Sequence, residues 1–181
     1  MITTDTTLHS CPPCPQGRQD REMRTYALLD ALGIPYLRLD HEATPSIEAC
    51  HEVDKLLGIE ICKNLFLCTA SHTGHCLLMM PGNKPFRTKD LSRQIGSSRL
   101  SFATPEEMEA LLDLTPGSVS VLGLMNDREH KVRLLMDRDL LSQEYVGCHP
   151  CINTASLRIR LDDLLGKFLP HTGHEPTFVE L

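Results

Sequence analysis

A lysine stands inside an otherwise apolar stretch, Cys62-Lys63-Asn64-Leu65-Phe66-Leu67, and a polar cluster, His149-Pro150-Cys151-Ile152-Asn153-Thr154-Ala155-Ser156, follows far downstream. Burying an ammonium group in a strand costs several kcal/mol unless an anion or a hydrogen-bond acceptor meets it, so Lys63 is expected to face a pocket. A positive charge fixed there can hold a carbonyl or phosphate oxygen and stabilise negative charge developing on it. Asn64 and His149 are candidates for binding a polar substrate group or orienting a water. The amides around Gly117 and Ser118 are candidates for an oxyanion site, because glycine lets the backbone approach closely. Ser118 and Ser120 lack the strand-turn-helix setting of an activated serine, so water is the expected attacker. Plainer roles stay open: a lysine that snorkels to solvent, a structural histidine, an asparagine that ties down a strand edge. Asn153, Thr154 and Ser156 read as shaping the turn and strand.

The thiols suggest a rival chemistry. Cys11-Pro12-Pro13-Cys14 and Cys148-His149-Pro150-Cys151 are two Cys-x-x-Cys pairs, and four such thiolates can hold zinc. The pairs lie too far apart in sequence for a zinc ribbon, and no thioredoxin-like unit surrounds the second pair. The eight cysteines read mainly as reduced, small apolar side chains, so neither a metal nor another cofactor is expected. On the rival reading the protein is a zinc- or thiol-dependent binding module.

These residues must be positioned by a chain of 181 residues, enough for one compact domain. With no Trp, three Tyr and five Phe, the core has to be built from Leu, Ile, Val and Met. No apolar run approaches the ~20 residues of a membrane span, and the N-terminus does not read as a signal peptide, so a cytoplasmic address is expected. The net charge of −6 argues against a general polyanion binder. Locally, Lys84, Arg87, Lys89, Arg93 and Arg99 stand against the single acid Asp90. This patch gains meaning only if it lies beside the Lys63 pocket.

Residues 1–17 lack periodicity and read as a flexible arm, 18–170 as the domain, and 171–181 as a polar tail. A helix is expected from Gln19 to Leu32, closed by Gly33 and Pro35, then a strand at Tyr36–Asp40. Thr44-Pro45 starts a helix to Leu57 with Ile47, Cys50, Val53, Leu56 and Leu57 as its buried stripe. Ile59–Ala70 and His75–Met80 read as a hairpin. Thr88 is expected to cap a helix through Ile95, and Arg99–Ala103 to be a strand. Thr104 and Glu107 form a capping box for a helix to Leu112. Ser118–Met125 and His130–Asp137 read as strands, Tyr145–Pro150 as a loop, Ile152–Ile159 as the last strand, and Leu161–Leu169 as a helix. His72-Thr73-Gly74-His75 and His171-Thr172-Gly173-His174 match by coincidence. The expected class is α+β, with a mixed, mainly antiparallel sheet.

Lys63-Asn64-Leu65-Phe66-Leu67, Gly117-Ser118-Val119-Ser120-Val121-Leu122-Gly123-Leu124 and the His149–Ser156 cluster, in this order behind Thr44-Pro45, resemble the YbaK/prolyl-tRNA-synthetase-associated editing domain family. The resemblance spans about Glu22 to Phe168 and is greatest to its free-standing alanyl-tRNA(Pro) deacylases. It implies a single domain whose sheet is partly closed as a barrel and flanked by helices. It also implies a metal-independent hydrolase acting on mischarged tRNA(Pro), with Lys63 catalytic and Asn64, Gly117, Ser118, His149 and Thr44 binding substrate. Lys84, Arg87, Lys89 and Arg93 would then meet tRNA phosphates. Prolyl-tRNA synthetase or an elongation factor is an implied partner, and a monomer or homodimer the implied state. The sister activity on cysteinyl-tRNA(Pro), or tRNA binding without hydrolysis, stays open. Val121 stands where the family's loop often has proline, which leaves the loop less constrained.

Overall fold

The computed structural model describes residues 6–43 and 47–181, and of residues 47–50 the backbone alone. In chain order the helices and strands are α1 (Asp20–Ala31), β1 (Tyr36–Asp40), α2 (Ile47–Leu57), β2 (Lys63–Thr69), β3 (His75–Met80), α3 (Thr88–Gln94), β4 (Leu100–Phe102) and α4 (Pro105–Leu112). Then come β5 (Val132–Asp137), β6 (Tyr145–Cys148), β7 (Ala155–Arg160), α5 (Leu161–Asp163), α6 (Leu169–Thr172) and β8 (Thr177–Val179). Two 3₁₀ segments, Val121–Asn126 and Arg138–Ser142, flank β5, and a π segment, Leu164–Phe168, joins α5 to α6.

The strands form two sheets. One has three antiparallel strands in the order β1-β7-β6; the other has five in the order β4-β2-β3-β5-β8. Within the larger sheet β2 pairs antiparallel with β3 and β4, while β3-β5 and β5-β8 are parallel. The class is mixed α and β with mainly antiparallel pairing, as the sequence suggests. The expected partial closure into a barrel is not found: among the described residues neither sheet closes on itself. Their backbones are joined at a parallel bridge, Ile61 to Gly147, where the Cys62 amide donates to the Gly147 carbonyl at 3.2 Å. Only glycine fits there, since a Cβ at position 147 would lie 2.7 Å from Ile59 Cδ1 and 3.0 Å from Ile61 Cα.

Strand alternation divides the core. Phe66, Leu77, Met79, Leu134 and Met136 face the smaller sheet and α1, where Tyr26, Leu29, Leu157 and Ile159 complete the main cluster. Leu67, Cys76, Leu78, Met80 and Leu135 point the other way, against Leu91 of α3. Strand β3 is thus covered on both faces, which is why it reads as continuous apolar sequence. A third cluster packs Val53 and Leu57 of α2 on Leu39 of β1.

Several expectations are corrected. Ser118–Met125 is not a strand: the Ser120 hydroxyl accepts from the Leu122 amide and winds Val121–Asn126 into a 3₁₀ segment. Tyr145–Cys148 is a strand, because β7 supplies its partner. Arg87, not Thr88, stands at the N-cap of α3. The capping box at Thr104 and Glu107 forms in both directions. The 171–181 segment is built into the fold through β8 and through buried His174, whose Nε2 lies 3.1 Å from Asp127. Within the 1–17 segment His9 meets β1, where it and Arg38 exchange backbone hydrogen bonds of 2.9 and 2.7 Å.

Candidate functional site

The sheet junction opens a cavity of about 420 Å³ lined by Lys63, His41, His149, Ser156, Asp54 and Glu60 among others, within the about 300–1,000 Å³ usual for small-molecule sites. Lys63 is the first residue of β2 rather than its middle, and is half-buried. Its Nζ donates to the Lys84 carbonyl at 2.8 Å. An ammonium carries three donors, so two remain for a ligand. The Pro81–Lys84 turn that supplies this carbonyl packs tightly on the cavity wall: a Cβ at Gly82 would fall 2.5 Å from the Ile61 carbonyl oxygen.

Two histidines face each other across the cavity, with ring centroids 6.3 Å apart. His149 Nδ1 lies 2.9 Å from the Ala155 carbonyl, an acceptor only, so Nδ1 carries the proton and Nε2 the lone pair. His41 is held the same way, Nδ1 against the Glu42 carbonyl at 2.8 Å, and its Nε2 accepts from the Ser156 hydroxyl at 2.9 Å. Ser156 Oγ also lies 3.5 Å from His149 Nδ1, at the outer limit of a hydrogen bond. Burial pushes both imidazoles below the ordinary histidine value, against the opposing pull of the carbonyls they bond. Both are therefore neutral at pH 7. Asp40, just before His41, pairs with Arg18 and Arg38. Burial alone would raise its carboxyl, but the two guanidinium groups together outweigh that and hold it below the usual range.

The structure divides the residues that the sequence grouped together. Lys63 and His149 share this cavity, whereas Asn64, the next residue on β2, points to the opposite face. Asn64 lines a second pocket of about 300 Å³ with Gly117, Phe102 and Pro105, at the small end of the about 300–1,000 Å³ range. Its Oδ1 accepts from the Val121 amide at 3.1 Å and its Nδ2 donates to the Cys62 carbonyl at 3.2 Å. The first of these bonds would be lost with proline at 121, which has no N–H. Gly117 has φ +87°, a conformation that suits glycine. Ser118 is fully buried and its hydroxyl is spent within the turn, donating to the Thr115 carbonyl and accepting from the Thr115 amide. Thr44 lies outside the described residues.

The basic patch is also divided. Lys84 Nζ sits 2.9 Å from buried Asp137 and 2.6 Å from Asp139, so its charge is already matched. Arg93 pairs with Asp90 at 2.5 Å. Arg87 and Lys89 are exposed and follow directly on the turn that holds Lys63. Of the thiols, Cys11 and Cys14 are exposed, while Cys148 and Cys151 are buried in the main core. Burial raises both of these, Cys151 to about 11, which disfavours the thiolates that a zinc site at that pair would need.

Sequence reasoning missed His41 and gave Ser156 a shaping role. Only the β1-β7 register, with Asp40 opposite Ala155, brings the two together, and neither residue carries a local motif that reveals it.

Residues 41–167 match the model of the aminoacyl-tRNA editing domain family. The chain is 33% identical over 145 residues to the prolyl-tRNA editing protein ProX of Acetoanaerobium sticklandii, covering 80% of this chain and 88% of that one. It is 30% identical over 154 residues to the prolyl-tRNA synthetase associated domain-containing protein 1 of Danio rerio, covering 83% and 82%. Its fold is similar, with a TM-score of 0.66 and 21% identity, to the crystal structure of a candidate trans-editing enzyme for prolyl tRNA synthetase, over 91% of this chain and 99% of that one. Together with two-thirds of its length matched by the family model and a cavity built at the start of β2, these similarities place the chain in the aminoacyl-tRNA editing domain family.

Proposed function

We propose that the protein is a trans-editing aminoacyl-tRNA deacylase that hydrolyses the ester of alanyl-tRNA(Pro) to alanine and tRNA(Pro). The observation that carries this reading is one cavity lined by both Lys63 and His149, with the His149 Nδ1 proton committed to Ala155. The names of the two relatives support tRNA(Pro) as the nucleic acid. Alanine is smaller than proline, so a site that excludes by size can act as a second sieve, whereas a pocket built for proline discriminates against smaller residues by only about 1–3 kcal/mol.

In this mechanism the two free N–H donors of Lys63 meet the ester carbonyl and hold the negative charge of the tetrahedral intermediate. A water bound at His149 Nε2 attacks the carbonyl carbon and passes its proton to that nitrogen. Collapse of the intermediate breaks the bond to the ribose oxygen, which takes the proton back. The Glu60 carboxyl on the cavity wall offers counter-charge to the α-ammonium of the aminoacyl group. Arg87 and Lys89 meet acceptor-stem phosphates, and the protein acts in the cytoplasm. Asn64 and Gly117 act on the opposite face of β2, where they fix the 117–121 loop.

The test is incubation of the protein with tRNA(Pro) charged with alanine, cysteine, serine or proline. Loss of the alanyl ester with the prolyl ester intact is expected. Selective loss of the cysteinyl ester reassigns the substrate, and survival of all four removes the proposal.

A further inference from the structure

At the far end of β2, away from Lys63, the sheet register sets Ser101, Cys68 and His75 side by side: Cys68 pairs with His75 of β3 and with Ser101 of β4. Directly opposed residues share a face of the sheet, with Cβ atoms about 4.5–5.5 Å apart. Two more side chains close over this row. His72 comes from the β2-β3 turn, where its backbone adopts φ +54°, and Glu107 from the first turn of α4. Cys68 Sγ lies 3.5 Å from His72 Nδ1. His72 Nδ1 and His75 Nε2 lie 2.8 and 2.9 Å from the same Glu107 oxygen, Oε1. Among the described residues, Cys68, His72 and Glu107 are the grouping whose ligand atoms all fall within 4.8 Å of one another.

We propose that Cys68, His72 and Glu107 form a three-ligand binding site for a divalent transition metal of the zinc type, separate from the Lys63 cavity, with the fourth position left to solvent. The donor set is one thiolate, one imidazole and one carboxylate, which with a water suits a tetrahedral ion of borderline softness. A tetrahedron with zinc's usual bond lengths has S···N edges of about 3.6 Å and N···O edges of about 3.3 Å. The Cys68–His72 separation already matches, and the His72 imidazole needs to part from Glu107 by about half an ångström, while His75 stays hydrogen-bonded to the same carboxylate oxygen and helps to orient it. The carboxylate is oriented for the task, because its other oxygen, Oε2, accepts from the Thr104 amide at 2.8 Å. Metal entry converts the Cys68 thiol to thiolate and releases that proton to solvent. Cys68 is buried, while the half-exposed His72 gives the ion a way in.

Such an ion would tie the β2-β3 turn to the start of α4. That start, with Phe102 and Pro105, is one wall of the second pocket. The repeated His-Thr-Gly-His sequence at 72–75 thus acquires a use that its copy at 171–174 does not share.

The test uses the full chain without a polyhistidine tag, titrated with Co(II) and with Zn(II) against a chromophoric chelator. One equivalent should bind, with a sulfur-to-cobalt charge-transfer band. Cys68→Ser should abolish the band. His72→Ala, at an exposed turn that leaves the fold intact, should weaken Zn(II) binding at least ten-fold and remove the rise in Tm that Zn(II) gives the parent chain. A Cys11→Ser/Cys14→Ser double variant should bind as the parent does. Absence of one-equivalent binding, an unchanged affinity in His72→Ala, or loss of binding in the Cys11/Cys14 variant would overturn the proposal.

Discussion

Replacing Lys63 by alanine separates a catalytic role from a structural one. In the folded protein its ammonium makes one hydrogen bond, to the Lys84 carbonyl, and is half-buried at the start of β2. The loss to the fold is one charge-assisted hydrogen bond, worth at most about 1.5–3 kcal/mol. Water can reach the freed carbonyl through the cavity, so about 1 kcal/mol is expected, or a fall in Tm of about 2–4 °C for a chain of this size. The loss to the reaction is larger. Removing a donor that meets a developing oxyanion costs about 10²–10³ in kcat, or about 2.7–4 kcal/mol. Single-turnover deacylation of labelled alanyl-tRNA(Pro), beside thermal melts of the same preparations, reads both quantities. Lys63→Arg keeps the charge on a wider, planar group and should recover only part of the rate. Near-parent turnover in Lys63→Ala, or a rate loss that tracks the unfolded fraction, would refute the mechanism.

Because burial depresses the His149 pKa, kcat/KM for deacylation should fall only below pH 6.5; a limb centred above that value would contradict His149 as the base. The same depression acts on stability. Unfolded histidine binds a proton near pH 6.5 while folded His41 and His149 do not, so stability should fall as pH drops from about 6.5 toward their folded values; urea midpoints across this range check it. Gly147→Ala forces a methyl group against Ile59 and Ile61 and should cost about 1–3 kcal/mol in denaturant melts. Lys84→Ala leaves fully buried Asp137 without its cation and should cost about 3 kcal/mol, the low end for a broken buried pair because Lys84 reaches solvent. Arg87→Ala and Lys89→Ala should leave the melt unchanged but lower the salt dependence of tRNA binding by about one unit for each phosphate left without its cation.

Helix ends and the central hairpin were legible because their signals are local. Gly33 closes α1 with φ +61°, and Thr104 with Glu107 opens α4, both within a few residues of sequence. What escaped depends on partners distant in the chain. The Ser-Val-Ser-Val alternation at 118–121 mimics a strand, but Asn64 captures the Val121 amide and Ser120 caps the following turn. Strand β6 has a glycine in its short span and takes its ladder from β7, and β8 takes its ladder from β5. In the candidate site, Lys63 and His149 stand out by residue type. Grouping Asn64 with them overlooked the period of two along a strand, which sends neighbouring side chains to opposite faces. His41 needed the β1-β7 register to be noticed.

Both outer strands of the five-stranded sheet are only three residues long, β4 on one side and β8 on the other. Beneath β8 lies β5, whose sequence Val132-Arg133-Leu134-Leu135-Met136-Asp137 is apolar at four of six positions. Shortening the chain before Thr177 would uncover amides and carbonyls of β5 as a template for a second molecule. Thr177–Val179 covers that edge of β5, so a form truncated before Thr177 should be lost from solution at concentrations where the full chain stays dispersed.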